Sequence, residues 1–437
     1  MGGGEEAGEE EQISRQAVSS CGRLLGLTGA VRVTGLQYEL SILSLSRLEF
    51  SMELAQTPML KVMVVFGTRP EAIKLAPVIM KLQENPAFSV VVVSTGQHRE
   101  MLDQVSERFG LSIDHDLNLM VRGQSINQII SKVVGGLDEV IDKESPDALI
   151  IQGDTTTAMG AALAGFNQHV QVVHVEAGLR SDNIWSPFPE EANRKIVTQV
   201  TGLHLAPTQT AVDNLLRENV EPATIKLVGN TVIDALHLAK TWDTKLSNQV
   251  LDEFLRSYDR VVLGTTHRRE NVFAAAQIGE AFRELAERFP ETGFVLPLHL
   301  NPVIRENLIP QTEGQPNILV CDPMPYDEFI ALMNRSYLVV TDSGGIQEEA
   351  PALGKPVLVM RANTERQEAI NAGNAKLIGT ARDSIVSETA LLLEDESKYR
   401  HMSESLTAFG DGRAAERAVA ALAEYFGLEN ESQGGHN

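Results

Sequence analysis

The sequence predicts an α/β protein made of two Rossmann-like domains that face a cleft. Short, continuously apolar runs rich in Val, Ile and Leu alternate with stretches of helical length along most of the chain. Such runs are typical of strands in a parallel sheet that is buried on both faces. Polar clusters follow the ends of these runs in both halves, and ligands bind at the carboxyl ends of strands in such sheets. We therefore expect one ligand site in a cleft between two domains.

The composition narrows the classes of function. A chain of 437 residues with 43% hydrophobic content has room for two or three domains with substantial cores. Its net charge of −22 disfavours nucleic acid or an anionic membrane surface as the main partner, although a local basic cluster can still bind a small anion. Cys21 and Cys321 are the only cysteines, which suits a reducing compartment. Since no apolar run approaches the roughly 20 residues that span a bilayer, we expect a cytoplasmic protein.

Residues 1–58 differ from the rest of the chain. Residues 1–12 are rich in Gly and Glu, a composition that predicts disorder, and residues 13–57 are only mildly amphipathic. The segment lacks the basic start and apolar centre of a signal peptide. Because a strand pattern begins directly after Met59, we interpret 1–58 as an N-terminal extension, disordered or a start-site artefact, without a function of its own.

The first Rossmann-like domain is predicted over residues 59–235. Segment 67–71 leads from the first strand into a helix, and Pro70 suits the first helical position. Segment 95–99 precedes an amphipathic helix that extends to about Phe109. The predicted strands of this domain are 61–66, 89–94, 147–151, 170–175, 203–207 and 225–229.

The second Rossmann-like domain is predicted over residues 236–411, and it begins in a helical stretch at 232–257. A charged helix over 412–427 is expected to close the fold, and the polar tail 428–437 is expected to be loose. The predicted strands of this domain are 260–264, 293–297, 318–320, 338–340 and 357–360.

The turn after strand 338–340 is the strongest single indication of a ligand site. Gly344 and Gly345 let the backbone approach a ligand closely, and the helix that follows directs free N–H groups at it, as a phosphate site does. Glu349 lies one helical turn further, in position to accept hydrogen bonds from sugar hydroxyls. An ordinary strand-to-helix turn also uses glycine for packing, but the polar neighbours favour a ligand site: Asp342, Ser343, Gln347 and Glu348.

Basic side chains follow two other predicted strands. Arg69 lies beside a helix N-terminus, where a guanidinium can clamp a phosphate, although an ordinary surface arginine also fits. His267 is followed by Arg268 and Arg269, which concentrates positive charge in an acidic chain. A salt-bridged loop is the alternative for this segment.

Asp154, Glu176 and Glu190 are the candidate groups for proton transfer. Asp154 and Glu176 each follow a buried strand, and Glu190 lies in a Pro-rich turn that enters a helix. Carboxylates brought together perturb one another's pKa, which permits one acid and one base at neutral pH. Helix N-terminal charge explains Glu190 equally well. The chain has no His-Glu-x-x-His, no Walker loop and no Gly-x-Gly-x-x-Gly after its first strand, so we expect no metal and no nicotinamide cofactor.

A series of motifs occurs in order between residues 59 and 427. They are 66–74 (Phe-Gly-Thr-Arg-Pro-Glu-Ala-Ile-Lys), 153–157 (Gly-Asp-Thr-Thr-Thr), 174–180 (His-Val-Glu-Ala-Gly-Leu-Arg), 187–194 (Pro-Phe-Pro-Glu-Glu-Ala-Asn-Arg), 229–234 (Gly-Asn-Thr-Val-Ile-Asp), 267–270 (His-Arg-Arg-Glu) and 341–351 (Thr-Asp-Ser-Gly-Gly-Ile-Gln-Glu-Glu-Ala-Pro). Together they resemble the non-hydrolysing UDP-N-acetylglucosamine 2-epimerases of bacteria.

This resemblance implies a glycosyltransferase-B type fold, a homodimer and interconversion of UDP-GlcNAc with UDP-ManNAc for cell-surface polysaccharide, without metal or nicotinamide. It implies that Asp154, Glu176, Glu190 and His267 are catalytic. The residues that the resemblance assigns to UDP or substrate binding are Arg69, Arg180, His267, Ser343, Gly344, Gly345 and Glu349. Some bacterial members have a second, allosteric UDP-GlcNAc site, and the residues that match part of it are Lys74, Gln97, His98 and Arg99.

The implied chemistry needs a particular kind of site. The C2 proton of the sugar is barely acidic because no carbonyl adjoins it. Departure of UDP from C1 makes C1 cation-like and acidifies the C2 proton, whose loss gives a C1=C2 glycal, 2-acetamidoglucal. UDP then adds back while a proton arrives on the other face. Such a route needs a phosphate clamp, carboxylates near both faces of C2 and a closed cleft.

The chain departs from the family's pattern in a few places. Gln367 stands where the family usually has proline, segment 272–275 lacks an expected glycine, and Phe409 replaces a common tyrosine. We expect these changes to affect loop mobility or sugar specificity more than the type of reaction.

Two other functions fit the same motifs. A hydrolysing 2-epimerase would release UDP and ManNAc, because it only requires that water win over re-addition of UDP. A sugar-nucleotide glycosyltransferase of the same fold would need an acceptor groove and would not need several carboxylates around C2.

Overall fold

The structure is a computed structural model, and it describes residues 59–96, 99–121, 123–266, 269–404 and 409–428. The expectations for residues 1–58 and for nearly all of the tail lie outside these ranges, and the predicted domain limits stay predictions. Within the described ranges, two parallel sheets are each flanked by helices. No helix in these ranges is long and apolar enough to cross a membrane.

The first domain is built on a seven-stranded parallel sheet within the described residues. Its strands are β1 Leu60–Phe66, β2 Phe88–Ser94, β3 His115–Asp116, β4 Ala148–Gln152, β5 Gln171–Val175, β6 Leu203–Ala206 and β7 Ile225–Leu227. They lie in the order β3-β2-β1-β4-β5-β6-β7. The helices are α1 Arg69–Glu84, α2 Arg99–Phe109, α3 Ile126–Glu144, α4 Thr156–Asn167, α5 Glu190–Val200, α6 Gln209–Arg217 and α7 Thr231–Thr241.

The second domain repeats this architecture with a six-stranded sheet in the part of the chain that is described. Its strands are β8 Arg260–Thr265, β9 Thr292–Pro297, β10 Ile318–Cys321, β11 Leu338–Thr341, β12 Val357–Val359 and β13 Ala375–Leu377, in the order β10-β9-β8-β11-β12-β13. Its helices are α8 Gln249–Ser257, α9 Ala275–Arg288, α10 Pro302–Thr312, α11 Tyr326–Arg335, α12 Ile346–Ala352, α13 Gln367–Asn371, α14 Arg382–Glu394 and α15 Glu396–Ser403, and α16 Ala414–Tyr425 follows them.

Side chains alternate between the two faces of each central strand, and both faces are covered. Along β1, Val62 and Val64 belong to one apolar cluster, whereas Met63 and Val65 belong to another on the opposite face. This is why the strands read as continuous apolar runs rather than as alternating ones. The α/β prediction with two Rossmann-like domains is confirmed.

The strand predictions agree with the structure to within two residues at each end. Strands β3 and β13 were not predicted from the sequence, because they have only two and three residues and include charged side chains. The helical stretch predicted at 232–257 is two helices, α7 and α8, and the side chain of Asn248 caps the start of α8.

The last helix, α16, returns to the first domain. It packs against α1 and α7. The Asp234 carboxylate accepts hydrogen bonds from the backbone N–H groups of Ala414 (3.1 Å) and Ala415 (2.9 Å), which begin α16. Asn230 N–H donates to the carbonyl of Phe409 at 2.6 Å, so the segment before α16 is also tied to α7.

We predict that Asp234→Ala destabilises the first domain, because two buried N–H groups at the start of α16 lose their acceptor. The expected loss is about 1–2 kcal/mol, as for removal of a helix cap. Urea unfolding measures it, and amide hydrogen exchange in α16 locates it. Asp252→Ala, which removes only an exposed pair with Arg256, is the control and should change stability by less than about 0.5 kcal/mol. Equal effects of the two variants would contradict the role of Asp234.

Candidate active site

The carboxyl ends of both sheets meet in one cleft, and side chains cross it. Arg69, the first residue of α1, donates from Nη1 to the carbonyl of Met324 in the second domain at 3.2 Å. Arg108 at the end of α2 donates from Nε to Asp327 Oδ2 at 2.7 Å. A cavity of about 190 Å³ lies at this junction and is lined by Arg69, Thr265, Thr266, Pro297, His299, Pro323, Met324, Phe329, Ser343 and Ile346.

The turn between β1 and α1 is fixed by Glu71, whose carboxylate is buried. Its Oε2 accepts hydrogen bonds from the backbone N–H groups of Gly67 (3.1 Å) and Thr68 (2.7 Å). Its Oε1 accepts from the hydroxyl of Thr155 at 2.6 Å. A Cβ at Gly67 would lie 2.7 Å from Thr157 Oγ1, so only glycine fits there. Glu71 therefore joins the turn that carries Arg69 to the turn after β4.

The turn after β4 presents Asp154 to the cleft. Arg194 from α5 contacts Asp154 Oδ2 through Nε at 2.8 Å and Nη2 at 2.6 Å. Asn193 donates to the Asp154 carbonyl at 2.9 Å. Burial alone would raise the pKa of Asp154, but the positive charges of Arg194 and Arg366 outweigh it and lower this pKa. Asp154 is therefore held as a carboxylate.

Glu176 lies at the end of β5 inside a ring of charges that crosses the cleft. Lys74 Nζ is 2.6 Å from Glu176 and 3.4 Å from Glu348. Arg366 closes the ring, with Nε 3.0 Å from Glu348 and Nη2 3.4 Å from Glu176. We call Lys74, Glu176, Glu348 and Arg366 the charge ring. Each domain contributes one cation and one carboxylate to it.

Burial and the neighbouring charges together shift the pKa values of Lys74, Glu176 and Arg366. Burial raises the pKa of Glu176; the charge of Lys74 opposes the rise and the charge of Glu348 adds to it. Burial opposes the charges on Lys74 and Arg366, but the surrounding carboxylates outweigh it and raise both pKa values. Gln152 also donates to Glu176 from β4. The two acids, Asp154 and Glu176, therefore have pKa values displaced in opposite directions.

The glycine turn after β11 lies against the ring. A Cβ at Gly344 would be 3.2 Å from Arg366 Cζ, so the guanidinium lies directly behind the Gly344 backbone. Gln347 donates to the Ser343 carbonyl at 2.9 Å and accepts from Thr364 at 2.6 Å, which holds the turn to the segment that carries Arg366.

Glu349 is buried one turn into α12 and contacts Tyr326. The Tyr326 hydroxyl donates to Glu349 Oε1 at 3.0 Å. Burial raises the pKa of Glu349 to about 7, against the lowering effect of this hydrogen bond. Burial also lowers the pKa of Arg69, while the nearby charge of Glu349 opposes that change. The Glu349 carboxylate thus faces the first domain near Arg69.

The other predicted site residues have varied placements. Glu190 is the half-buried first residue of α5, and the next residue, Glu191, pairs with Arg194 at 2.7 Å. Each guanidinium nitrogen of Arg180 donates within the first domain, and its ion pair with Glu218 is 2.7 Å long. These contacts favour a structural role for Arg180, and its predicted role as a ligand stays a prediction.

Some predicted residues lie outside what the structure describes. His267, Gln97 and His98 are outside the described ranges, and Arg99 is described only as the first residue of α2. Lys74, predicted to belong with these residues in a second site, lies in the charge ring. His174, which precedes Glu176 by two residues, has Nε2 2.8 Å from the Gly153 carbonyl, and burial lowers its pKa to about 3.

Two residues of the charge ring, Glu348 and Arg366, were not predicted as site residues. Glu348 was named only as a polar neighbour of Gly345, and Arg366, which directly precedes Gln367, was not singled out. Gln367 itself begins α13 and donates to the Thr364 carbonyl at 2.6 Å. Among the described residues, no group of three His, Cys, Asp or Glu side chains could hold a metal ion.

Comparison with known proteins identifies the family. The model of the UDP-N-acetylglucosamine 2-epimerase family matches residues 80–423. The UDP-N-acetylglucosamine 2-epimerase of Escherichia coli K12 is 44% identical over 370 residues, which cover 83% of this chain and 98% of that protein. The Campylobacter jejuni protein of the same name is 42% identical over 381 residues, covering 85% of this chain and 99% of that protein.

The chain belongs to this family. The crystal structure of UDP-GlcNAc 2-epimerase from Neisseria meningitidis bound to UDP-GlcNAc is similar, with a TM-score of 0.79, 41% identity and coverage of 84% of this chain and 100% of that one. The glycotransferase of kitacinnamycin shares only the fold, at a TM-score of 0.56 and 14% identity over 84% of this chain and 99% of that one. This chain therefore has the glycosyltransferase-B type fold.

We predict that the ionisation of Glu349 lowers the free energy of unfolding as the pH rises. Its pKa is about 7 in the folded protein, against 4.5 in the unfolded chain, so the folded state binds the extra proton between these values. The stabilisation is complete below pH 4.5 and is lost as pH rises through 7. The raised pKa of Glu349 thus contributes roughly 3 kcal/mol to the free energy of unfolding at low pH, and this contribution is absent at high pH.

Urea unfolding of the wild type and Glu349→Gln at several pH values tests this prediction. Subtracting the two curves removes the titration of all other groups. The wild type should lose stability relative to the variant between about pH 4.5 and 7.5. A difference that stays constant over this range would show that the pKa of Glu349 is not raised.

Proposed function

We propose that this chain catalyses the reversible, non-hydrolysing C2 epimerisation of UDP-GlcNAc to UDP-ManNAc by elimination of UDP to 2-acetamidoglucal and re-addition. The observation that carries the proposal is the position of Arg366. Its guanidinium lies behind the backbone of Gly344 and 3.4 Å from Glu176. One cation thus connects a turn suited to phosphate with a carboxylate suited to proton transfer.

The relatives support the choice of substrate. The similar Neisseria meningitidis structure contains UDP-GlcNAc. A UDP-GlcNAc 2-epimerase from Methanocaldococcus jannaschii, solved with UDP-GlcNAc and UDP, is 31% identical with a TM-score of 0.73 and covers 84% of this chain. We carry this substrate over because the glycine turn, Arg69 and the acids of the family motifs are all present.

In the proposed first step, the bond from C1 to the diphosphate oxygen breaks, and the electron pair leaves with UDP. The developing negative charge is stabilised by Arg366, Arg69 and the N–H groups of the turn formed by Ser343, Gly344 and Gly345. Glu349 binds the nucleotide from the other end of this turn. We assign His267 to the same diphosphate, following the family motif.

In the proposed second step, a carboxylate takes the C2 proton, and the C–H electron pair forms the C1=C2 bond of the glycal. Asp154 and Glu176 suit this exchange because their pKa values are displaced in opposite directions. Re-addition of UDP then occurs with delivery of a proton to the opposite face of C2. Glu190 completes the proposed set of acids.

In a hydrolysing reaction, water reacts with the glycal or with the cation-like sugar before UDP can add back. We propose that closure of the cleft prevents this reaction with water. Charged side chains from both domains meet in the cleft. We expect the closed cleft to exclude water and to keep UDP beside the intermediate.

We also propose that the chain is a cytoplasmic homodimer that acts without metal or nicotinamide. Light scattering of the purified protein tests the dimer.

Proton NMR in D₂O with UDP-GlcNAc alone tests the proposed reaction. We expect deuterium at C2, a mixture of UDP-GlcNAc and UDP-ManNAc, and little free UDP. Asp154→Asn and Glu176→Gln should each slow exchange by about 10²–10⁴-fold, as for loss of general acid–base catalysis. Asp252→Asn on the surface is the control. Free UDP with ManNAc would instead indicate the hydrolysing enzyme, and bound UDP without C2 exchange would leave only a nucleotide-binding fold.

We predict that Thr155→Val lowers kcat more than it changes KM, because it breaks the link from Glu71 to the Asp154 turn. Thr155→Ser keeps the hydroxyl and is the matched control. Loss of a hydrogen bond to a buried carboxylate corresponds to about a tenfold fall or more. The hydroxyl also caps α4 by accepting from Ala158 N–H at 3.0 Å, so thermal stability should fall as well. Lower stability with unchanged kcat would contradict the positioning role.

A further inference from the structure

Glu348 is a buried carboxylate to which the proposed reaction gives no part. It lies in α12 of the second domain, with 1% of its surface exposed. Its Oε2 is 3.4 Å from Lys74 Nζ, and its Oε1 is 3.0 Å from Arg366 Nε. The adjacent acid, Glu349, contacts Tyr326 instead. Glu348 is thus directed at the two cations of the charge ring.

The ring has a regular geometry. Lys74 and Arg366 each contact both carboxylates, at 2.6 and 3.4 Å for Lys74 and at 3.0 and 3.4 Å for Arg366. Lys74 comes from the first domain and reaches the acid of the second, whereas Arg366 comes from the second domain and reaches Glu176 of the first. Two charges of each sign therefore face one another in a buried space, and Arg366 also pairs with the buried carboxylate of Glu365. An unpaired charge in this space would be strongly unfavourable.

The balance depends on Glu348. The charged groups that act on Glu176 are Lys74 and Arg366, which favour its ionised form, and Glu348, which disfavours it. The groups around Glu348 itself are Lys74, Arg366, Glu176 and Glu349, and Arg366 also interacts with Glu365 and Asp154. Without Glu348, two cations would act on Glu176 with one opposing charge fewer.

We propose that Glu348 is a positioning residue for the C2 proton transfer, because it holds one cation from each domain and so keeps Glu176 able to exchange a proton. The inference rests on the proposed function of Glu176. Because the ring is assembled from both domains, Glu176 acquires this environment only when the domains are in contact. Proton transfer is thereby restricted to the closed cleft.

Titration of Glu176 tests the inference without use of the reaction. The probe is carboxyl ¹³C NMR of protein labelled at glutamate, with the Glu176 signal assigned by its loss in Glu176→Gln. Lys74 Nζ lies 2.6 Å from Glu176 and 3.4 Å from Glu348, so the two carboxylates are at most about 6 Å apart. At an intermediate dielectric constant, Glu348→Gln should therefore lower the pKa of Glu176 by about one unit or more. Glu328→Gln is the control, since Glu328 is also buried in a helix of the second domain but bonds to Ser247.

Charge compensation separates this role from a general structural one. Adding Lys74→Met to Glu348→Gln removes one cation with one anion, and the Glu176 pKa should move back up. Glu348→Asp, which keeps the charge, should stay nearer the wild type and serves if Glu348→Gln does not fold. A Glu176 pKa that is the same in Glu348→Gln and the wild type would overturn the inference.

The pH profile of C2 exchange adds a kinetic reading. In Glu348→Gln the limb that reports Glu176 should shift to lower pH by the same amount, whether Glu176 acts as base or as acid. UDP affinity, measured by calorimetry, should change by less than the exchange rate does. If the wild type shows no C2 exchange, the proposed function is wrong, and the ¹³C titration still tests the inference. If the wild type exchanges C2 normally and the pH profile of Glu348→Gln is not shifted, only the inference is wrong.

Discussion

The need to pair every charge in a buried space governs the centre of this molecule. Lys74, Glu176, Glu348 and Arg366 are all largely withdrawn from water, and each is tolerated only because the others are present. Each domain supplies one cation and one carboxylate, and the contacts of Lys74 with Glu348 and of Arg366 with Glu176 join the two pairs across the cleft. The cleft is therefore more than a space between two sheets, because the charge balance of its inner wall is shared across the boundary.

The topology of parallel sheets brings these groups together. The functional side chains follow a strand or lie in the first two turns of a helix, so they gather at the carboxyl edges of the sheets. Within the first domain, Glu71 joins two such turns through three hydrogen bonds. Within the second, the chain of contacts from Ser343 through Gln347 to Thr364 serves the same purpose. Rigid turns are what allow distant segments to present charges at fixed separations.

The sequence predicts what depends on local pattern and does not predict what depends on contact between domains. Apolar runs and glycine turns are local, so the sheets and the positions of Asp154, Glu176 and Gly344 were accessible. The ion pairs of Glu348 with Lys74 and of Arg366 with Glu176 join residues far apart in the chain, and the local sequence does not indicate these partners. Arg180 shows the reverse case, because a motif arginine next to the site is engaged by Glu218, 38 residues away.

Glu348 and Glu349 show how far environment decides chemistry. They are adjacent glutamates on one helical turn, and both are buried. Glu348 contacts two cations, whereas Glu349 accepts a hydrogen bond from the neutral hydroxyl of Tyr326. Burial raises the pKa of Glu349 to about 7. A change of one residue rotates the side chain by about 100° around the helix, which is enough to exchange a charged partner for a neutral one. Because these two acids are the same residue type at adjacent positions, the groups that each one contacts determine the difference in their roles.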